Sequence, residues 1–339
     1  MPSSAWPTSR GRCSTRRCTT HSPRSWGDAA HWCSWTRAAP RPEPPLLISV
    51  TGATGFVGRH VAATLVARGH RVRVLARDPA RARFLSDLNV EIVAGALADR
   101  PALDRLASGA DALIHLVGII VEQGAQTFTA VHVAGTQALL AAAGQADVRR
   151  FVHMSAVGAR DEPGATPYHR TKRQAEQLVR DSGLSHAIFR PSIINGPESA
   201  PIRLLARLHR WSPLVPVFGD GRFPTQPVWI DDVAMAFALA AERPDTVGVF
   251  ELGGPQVLTY EEFLLTIGRA SRHSRPLVHV PLGLVRAAAG VFDVLGATAP
   301  LTSDQVQMLV EGSATPANAI ESVFGIEPVA FEDGLKRFL

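Results

Sequence analysis

The chain has 339 residues, 46% hydrophobic and 19% charged, enough for one large domain or two small ones. Its formal charge of +5 lies entirely in residues 1–45, where Arg10, Arg12, Arg16, Arg17, Arg24, Arg37 and Arg41 face only Asp28 and Glu43, so the body is neutral overall. That distribution excludes a nucleic-acid-binding body, and no apolar run approaches the length needed to span a membrane.

Residues 1–45 lack helical or strand periodicity and read as a disordered or spurious extension. They are Arg- and Ser-rich like an organelle transit peptide. Arginine outnumbers lysine 33 to 2 across the chain, however, which suggests a GC-rich bacterial genome and favours a start placed too far upstream. Cys13, Cys18 and Cys33 all lie here, leaving the body without thiol chemistry or a disulfide. With His21 and His31 they match no common zinc spacing, so no metal is expected.

From residue 46 strand and helix alternate. Strands are expected over 46–52, 71–76, 90–95, 112–118, 150–156 and 185–191, with helices over 56–69, 126–146 and 168–182. Near-continuous apolar strands separated by helices predict an α/β fold, a Rossmann-type doubly wound parallel sheet over 46–195. Prolines then cluster, so 196–230 reads as a loop-rich segment of a substrate lobe around one helix, 202–211. In that helix Arg203, Arg207 and Arg210 are expected on one face and Leu204, Leu205 and Leu208 opposite, a pattern that suits packing or an anionic membrane surface. A helix and a strand over 231–254 return to the core. Residues 255–339 form a small, mostly helical C-terminal lobe.

The first strand runs into "VTGATGFVGRH". Gly52 permits a tight turn, Gly55 lets the backbone approach a pyrophosphate, and Gly58 lets the helix pack close to the sheet. The helix N-terminus then offers N–H groups and the positive end of its dipole. At the end of the second strand, "RVRVLARD", stands Arg77, with Arg59 after the third glycine. Arginine pairs with a 2′-phosphate where a carboxylate would repel it, so NADP(H) is favoured over NAD(H) despite Asp78.

The most pointed feature is "PYHRTK", in which Tyr168 and Lys172 stand four apart and share a helix face. A neighbouring ammonium favours the phenolate, so the pair reads as a proton-transfer unit that also holds a ribose. Asp231 and Asp232 are expected to cap the helix that follows them. His115, His132 and His153 show no metal spacing and are expected to be satisfied core residues; His169 lies within the Tyr/Lys helix.

These motifs, with "IHLVG", "VHVAGT", "FVHMSA", "FRPSIINGP", "PVWIDDVA" and "FELGGPQVLTYEE", resemble the short-chain dehydrogenase/reductase superfamily in its extended and atypical branch, from about residue 46 onwards. Within it the closest resemblance is to the NADPH-binding accessory subunit of respiratory complex I and its bacterial relatives. The resemblance implies a nicotinamide dinucleotide held by Gly52, Thr54, Gly55, Phe56, Val57, Gly58, Arg59, Arg77, Leu97, Leu116, Val117, Gly118, Tyr168, Lys172, Pro191 and Ile193. It implies a catalytic set of Tyr168, Lys172 and a small hydroxyl residue. Ser155 falls in the first, structural position of that pattern and Ala156 in the catalytic one; loss of an oxyanion donor costs on the order of 10²–10³ in rate. The "GDL" run of relatives is "GAL" here, with Ala96 in the acidic slot and Asp99 three residues on. The departures favour a structural or regulatory NADP(H). The alternative is an active reductase, dehydrogenase or epimerase on a quinone-precursor, lipid or sugar-nucleotide substrate, with Ser155 standing in for the missing donor. The expected partners are the dinucleotide and, by resemblance, complex I or a membrane surface. The expected location is cytoplasmic or peripheral at the inner membrane.

Overall fold

The computed structural model describes residues 44–295 and 302–339. The N-terminal extension to residue 43, with its cysteines, lies outside the described residues. Seven strands form one parallel sheet: β1 (Leu47–Thr51), β2 (Arg71–Ala76), β3 (Glu91–Ala94), β4 (Ala112–His115), β5 (Arg150–Met154), β6 (Ser185–Pro191) and β7 (Gly248–Leu252). Their spatial order is 7-6-5-4-1-2-3, so the chain reverses direction between β1 and β4. That reversal opens a crevice beyond the carboxyl ends of the strands, where doubly wound sheets bind dinucleotides.

Both faces of the sheet are covered, which is why the central strands β1 and β4 are buried along their whole length, whereas β2 and β3 towards the edge expose Arg71 and Glu91. On one face lie α1 (Phe56–Ala67) and, from the far end of the chain order, α6 (Ile230–Glu242). On the other lie α2 (Arg100–Ala107), α3 (Gly135–Gln145) and α4 (Pro167–Asp181). The alanine-rich α6 lets its backbone sit close to the sheet, and Phe237 meets Phe189 of β6 at 4.7 Å between ring centroids. Burying each such ring is worth about 1.5–3 kcal/mol.

The lobe has its own core. α5 (Ala200–Trp211) and α7 (Tyr260–Ala270) pack with Val215, Val217, Phe223 and Phe331. It is not wholly helical, because Leu277–Val280 pairs in parallel with Val215–Phe218. α8 (Leu282–Leu295) and α9 (Ser303–Glu311) follow. The chain then returns to the main domain, where Ala319, Ile320, Phe324 and Val329 join the core beside α1 and α6. No helix among the described residues is long and apolar enough to cross a membrane.

Candidate nucleotide and active site

The phosphate loop takes the shape its glycines require. Gly52 has φ +80°, and a Cβ there would lie 3.1 Å from Leu116 C and Val117 N, so the turn rests directly on the end of β4. A Cβ on Gly58 would lie 2.1 Å from Gly52 O, which no side chain tolerates. Gly55 is exposed and caps α1 by backbone geometry alone, with no side chain spent on the first N–H groups. An anion can take that place. Leu116, Val117 and Gly118 thus border the loop. Val57 is buried beneath it, and Phe56 turns aside to meet His60 edge-on at 6.0 Å. Thr54 O accepts a long hydrogen bond (3.4 Å) from Arg59, whose guanidinium also lies 4.7 Å from the Phe84 ring centroid.

At the β2 end, the Asp78 carboxylate accepts from Ala80 N at 2.9 Å and so caps its own turn. Arg77 is exposed and donates to Gln126 Oε1 at 3.3 Å. Asp99 is likewise consumed, capping α2 through Ala102 N. Leu97 lies where a Cβ on Gly135 would come within 2.7 Å of it. Pro191 O accepts from Val157 N at 3.2 Å, while Ile193 packs into the lobe core.

Tyr168 and Lys172 stand on the first two turns of α4, which Thr166 caps through His169 N. Tyr168 is half-buried in a wall of Phe128, His132 and His169 rings, 5.5 to 5.9 Å away. Its hydroxyl makes no hydrogen bond to any described residue, and burial pushes it up to about 12. Lys172 is buried, and burial pulls it down to about 8 against the attraction of Glu176. Its Nζ donates to Met154 O at 3.0 Å and lies 6.0 Å from the Tyr168 ring centroid. The expected lowering of the phenol by its lysine is therefore absent, because desolvation outweighs an ammonium at that distance.

A Cβ on Gly118 would lie 3.0 Å from Lys172 Nζ, so the lysine stands against the segment after β4 on which the loop also rests. A buried ammonium with a single hydrogen bond retains two unspent donors. Ligand hydroxyls such as those of a ribose would complete it, and the glycine cradle fits a pyrophosphate. The residues present therefore fit a nicotinamide dinucleotide.

Behind Tyr168 runs a fixed chain of neutral side chains. A π-helical turn, Thr129–Ala134, carries His132. His132 Nε2 accepts from Ile119 N (3.1 Å), which puts its proton on Nδ1, facing Thr171 Oγ1 (3.0 Å). His115 bridges Thr51 and Thr136, and burial takes both histidines down to about 3. These two are satisfied core residues. His153 is not: among the described residues neither buried ring nitrogen has a partner, and its ring centroid lies 5.4 Å from that of His115. Burial holds it neutral.

Ser155 is buried, makes no hydrogen bond of normal length through Oγ, and turns towards Glu176. Ala156 follows, half-buried and without a hydroxyl. Glu176, one turn beyond Lys172, has a fully buried side chain. Burial alone would raise it, but Arg190, Ser155 and Arg173 together hold it low. Arg190 grips it with Nε at 2.7 Å and Nη2 at 2.8 Å. The sequence reading missed this residue, although extending the spacing of Tyr168 and Lys172 by four reaches it.

The two aspartates do not cap α6. Trp229 is the N-cap residue. Asp231 instead accepts from Trp229 Nε1 (3.0 Å) and pairs with His60 Nδ1 (2.8 Å), while His60 Nε2 reaches Glu198 (3.2 Å). Burial would lower His60, but the two carboxylates prevail and raise it. Asp232 accepts from Val329 N at 2.9 Å, tying the C-terminal segment to the core. Burial raises its carboxyl to about 7. Its folded pKa lies above the ordinary 3.8, so the carboxylate costs stability increasingly as pH rises towards 7 and fully above it. Asp232→Asn, which keeps an acceptor for Val329 N, should raise the melting temperature at pH 8, with the gain shrinking towards pH 4. Thermal denaturation across that range checks it; an equal or negative shift at every pH refutes the burial argument. Among the described residues no three His, Cys, Asp or Glu side chains converge as metal ligands would.

Comparison with known proteins gives the family and the fold. Ceramide reductase of Caulobacter vibrioides is 37% identical over 206 residues, covering 61% of this chain and 64% of its own length. The mitochondrial NADH-ubiquinone oxidoreductase 40 kDa subunit of Neurospora crassa is 28% identical over 250 residues, covering 72% of this chain and 65% of its own. The chain thus spans just under two thirds of the length of these two curated relatives. UDP-glucuronic acid 4-epimerase from Bacillus cereus, solved with UDP-glucuronic acid and NAD, shares the fold at a TM-score of 0.68 and 19% identity, over 86% of this chain and 97% of that one. A family model described as NAD dependent epimerase/dehydratase matches residues 48–253, from β1 through β7, and the chain belongs to that family.

Proposed function

We propose that the protein is an NADP(H)-dependent reductase of a ketone carried by a lipid-like molecule. The observation that carries this reading is the uncommitted state of the pair. Among the described residues Tyr168 Oη has no hydrogen-bond partner and Lys172 Nζ has one, although both lie beside buried aromatic and histidine rings. A phenol near 12 stays protonated at neutral pH, so it is set to donate rather than accept. A dinucleotide held by the Gly52–Gly58 loop and Lys172 would supply the hydride for the carbonyl carbon. Tyr168 Oη gives its proton to the carbonyl oxygen, and Lys172 holds the ribose and offsets the charge left on the phenol. The His132–Thr171 hydrogen bond fixes the start of α4 and so the aim of Tyr168. The ceramide of the 37% identical relative supports a substrate with long apolar chains.

A second reading, in which the dinucleotide is structural and never turns over, is favoured by Ala156 and by the turn of Ser155 beneath α4. The similarity to the 40 kDa subunit points the same way and suggests complex I as a partner. One experiment separates the two. The protein is purified natively, its nucleotide identified, and NADPH oxidation followed with N-acylated long-chain 3-ketones. Oxidation with formation of the alcohol is expected. Stoichiometric NADPH that resists every ketone and co-purifies with complex I subunits would overturn the reductase.

The preference for NADP(H) rests on Arg77. Asp78 is withdrawn into its own turn, leaving the arginine as the charged group at the β2 end able to meet a 2′-phosphate. A hydrogen bond to a charged group is worth about 1.5–3 kcal/mol. Arg77→Ala should therefore weaken NADPH binding roughly tenfold or more and leave NADH within about twofold. Calorimetric titration with both nucleotides measures the ratio, and an equal loss for both would sink the assignment.

A further inference from the structure

The outer face of α5 is composed unlike the rest of the lobe. Arg203, Leu204, Arg207, Arg210 and Trp211 are all exposed and fall on one side of the helix, while Ile202, Leu205, Ala206 and His209 face inward. Leu204, expected opposite the arginines, stands among them at 52% exposure. Trp211 is 76% exposed, and Leu214 beyond the helix end is 43% exposed. The Arg210 guanidinium lies 5.1 Å from the Trp211 ring centroid. Among the described residues no carboxylate lies within ion-pair distance of Arg203, Arg207 or Arg210. The arginines of the main domain, by contrast, are often engaged, as Arg190 is with Glu176 and Arg160 with Glu311.

A second basic segment joins the same end. Arg275 Nε donates to His209 O at 3.0 Å and Nη2 to Arg210 O at 3.4 Å, which fastens the exposed Arg272–Arg275 turn beside Trp211. Arg203, Arg207 and Arg210 thus share an exposed helix face with Leu204 and an indole, the Arg272–Arg275 turn is fastened at its end, and among the described residues no ion pair engages any of these five arginines. Arginine, tryptophan and leucine on one exposed stripe are what an interfacial helix needs: cations for lipid phosphates, an indole for the headgroup layer, and leucine for the acyl boundary.

We propose that the outer face of α5, with Leu214 and the Arg272–Arg275 turn, docks on an anionic phospholipid bilayer. Charge complementarity selects a bilayer bearing net negative headgroups over a neutral one. The docking is independent of whether hydride moves at Tyr168.

The test uses the full chain and sedimentation with vesicles of phosphatidylcholine alone or mixed with phosphatidylglycerol. Binding to the mixed vesicles, lost in high salt and absent from the neutral ones, is expected. The Arg203→Glu, Arg207→Glu, Arg210→Glu triple variant should bind roughly a hundredfold more weakly. Trp211→Ala should weaken binding severalfold, and the wild type should show a blue-shifted indole emission on binding that Trp211→Phe lacks. These side chains are exposed, so the variants should melt as the wild type does; should the triple variant fold poorly, Trp211→Ala and Trp211→Phe still decide. Wild-type-like binding by the variants would assign the affinity to the basic residues 1–45 and overturn the proposal. Failure of the wild type to bind mixed vesicles at low salt would overturn it in favour of an acidic protein partner.

Discussion

Tyr168→Phe should lower kcat for ketone reduction by about 10²–10⁴, the usual share of a positioned proton donor, while NADPH affinity changes little. The separation follows from what the hydroxyl touches. Tyr168 Oη makes no hydrogen bond to any described residue, so removing it costs neither fold nor cradle. Its ring, packed against Phe128, His132 and His169, is kept by phenylalanine. Lys172 behaves differently because it is buried with a single hydrogen bond and is pulled to about 8. A lysine so placed is charged below that pH and neutral above it. kcat/KM for reduction should hold steady below about pH 8 and fall above it, as the ammonium that favours the developing phenolate is lost. Tyr168, near 12, contributes nothing to that limb. Lys172→Met should weaken nucleotide binding and remove the alkaline fall together. Steady-state rates with NADPH across pH 6–10 measure all three effects; turnover by Tyr168→Phe within threefold of wild type would remove the phenol from the chemistry.

How much of this was legible beforehand differs by kind of interaction. Strand and helix order from 46 to 191 could be read because each element carries its own period. The glycine cradle could be read because its spacing is local: Gly58 answers a demand made by Gly52 O and Ala53 a few residues before it, although the contact of Gly52 with Leu116 and Val117 is long-range. Partners distant in sequence could not. The expected caps Asp231 and Asp232 are taken by His60, 171 residues away, and by Val329 N, 97 away. Nothing in "WIDDVA" signals either claim. The orphaned nitrogens of His153 depend on what β4 and α4 place around the ring. Leu204 was misplaced because α5 begins at Ala200 and its inner face is set by contact with α7, not by the arginines. The phenol's raised pKa is likewise a property of packing density, which residue spacing does not carry. Glu176 is the exception: it lay in plain helical register with the pair.

At the opposite end of the sheet, Arg150→Met should be the most destabilising single change discussed, by about 3–5 kcal/mol. Arg150 opens β5, is 2% exposed, and serves four acceptors at once. Nε donates to Ala240 O (2.8 Å), Nη1 to Ser185 Oγ (2.9 Å) and Pro244 O (3.4 Å), and Nη2 to Thr246 O (2.6 Å). These carbonyls come from the last turn of α6 and the loop that leads to β7, so one guanidinium fastens helix, loop and edge strand together. Burial draws its pKa down to about 10, with Asp245 opposing, so the charge is retained at a cost that its hydrogen bonds offset. Replacing a buried ion pair with apolar residues is often harmless because both charges leave together. Here the acceptors are mostly backbone, and no substitution at position 150 removes them. Methionine would fill the volume yet take the donor from the buried Ala240 O and the half-buried Thr246 O, whereas Pro244 O keeps Ser185 Oγ; an unpaired buried group costs about 1–3 kcal/mol. Lysine, with three donors on a point charge, should recover only part of the loss. A melting temperature lower by roughly 10 °C is expected for Arg150→Met, with NADPH affinity intact once the protein is folded, since the cradle lies across the sheet. A drop of only one or two degrees would mean that water or a local shift satisfies those carbonyls, and that β7 is held by its ladder to β6 alone.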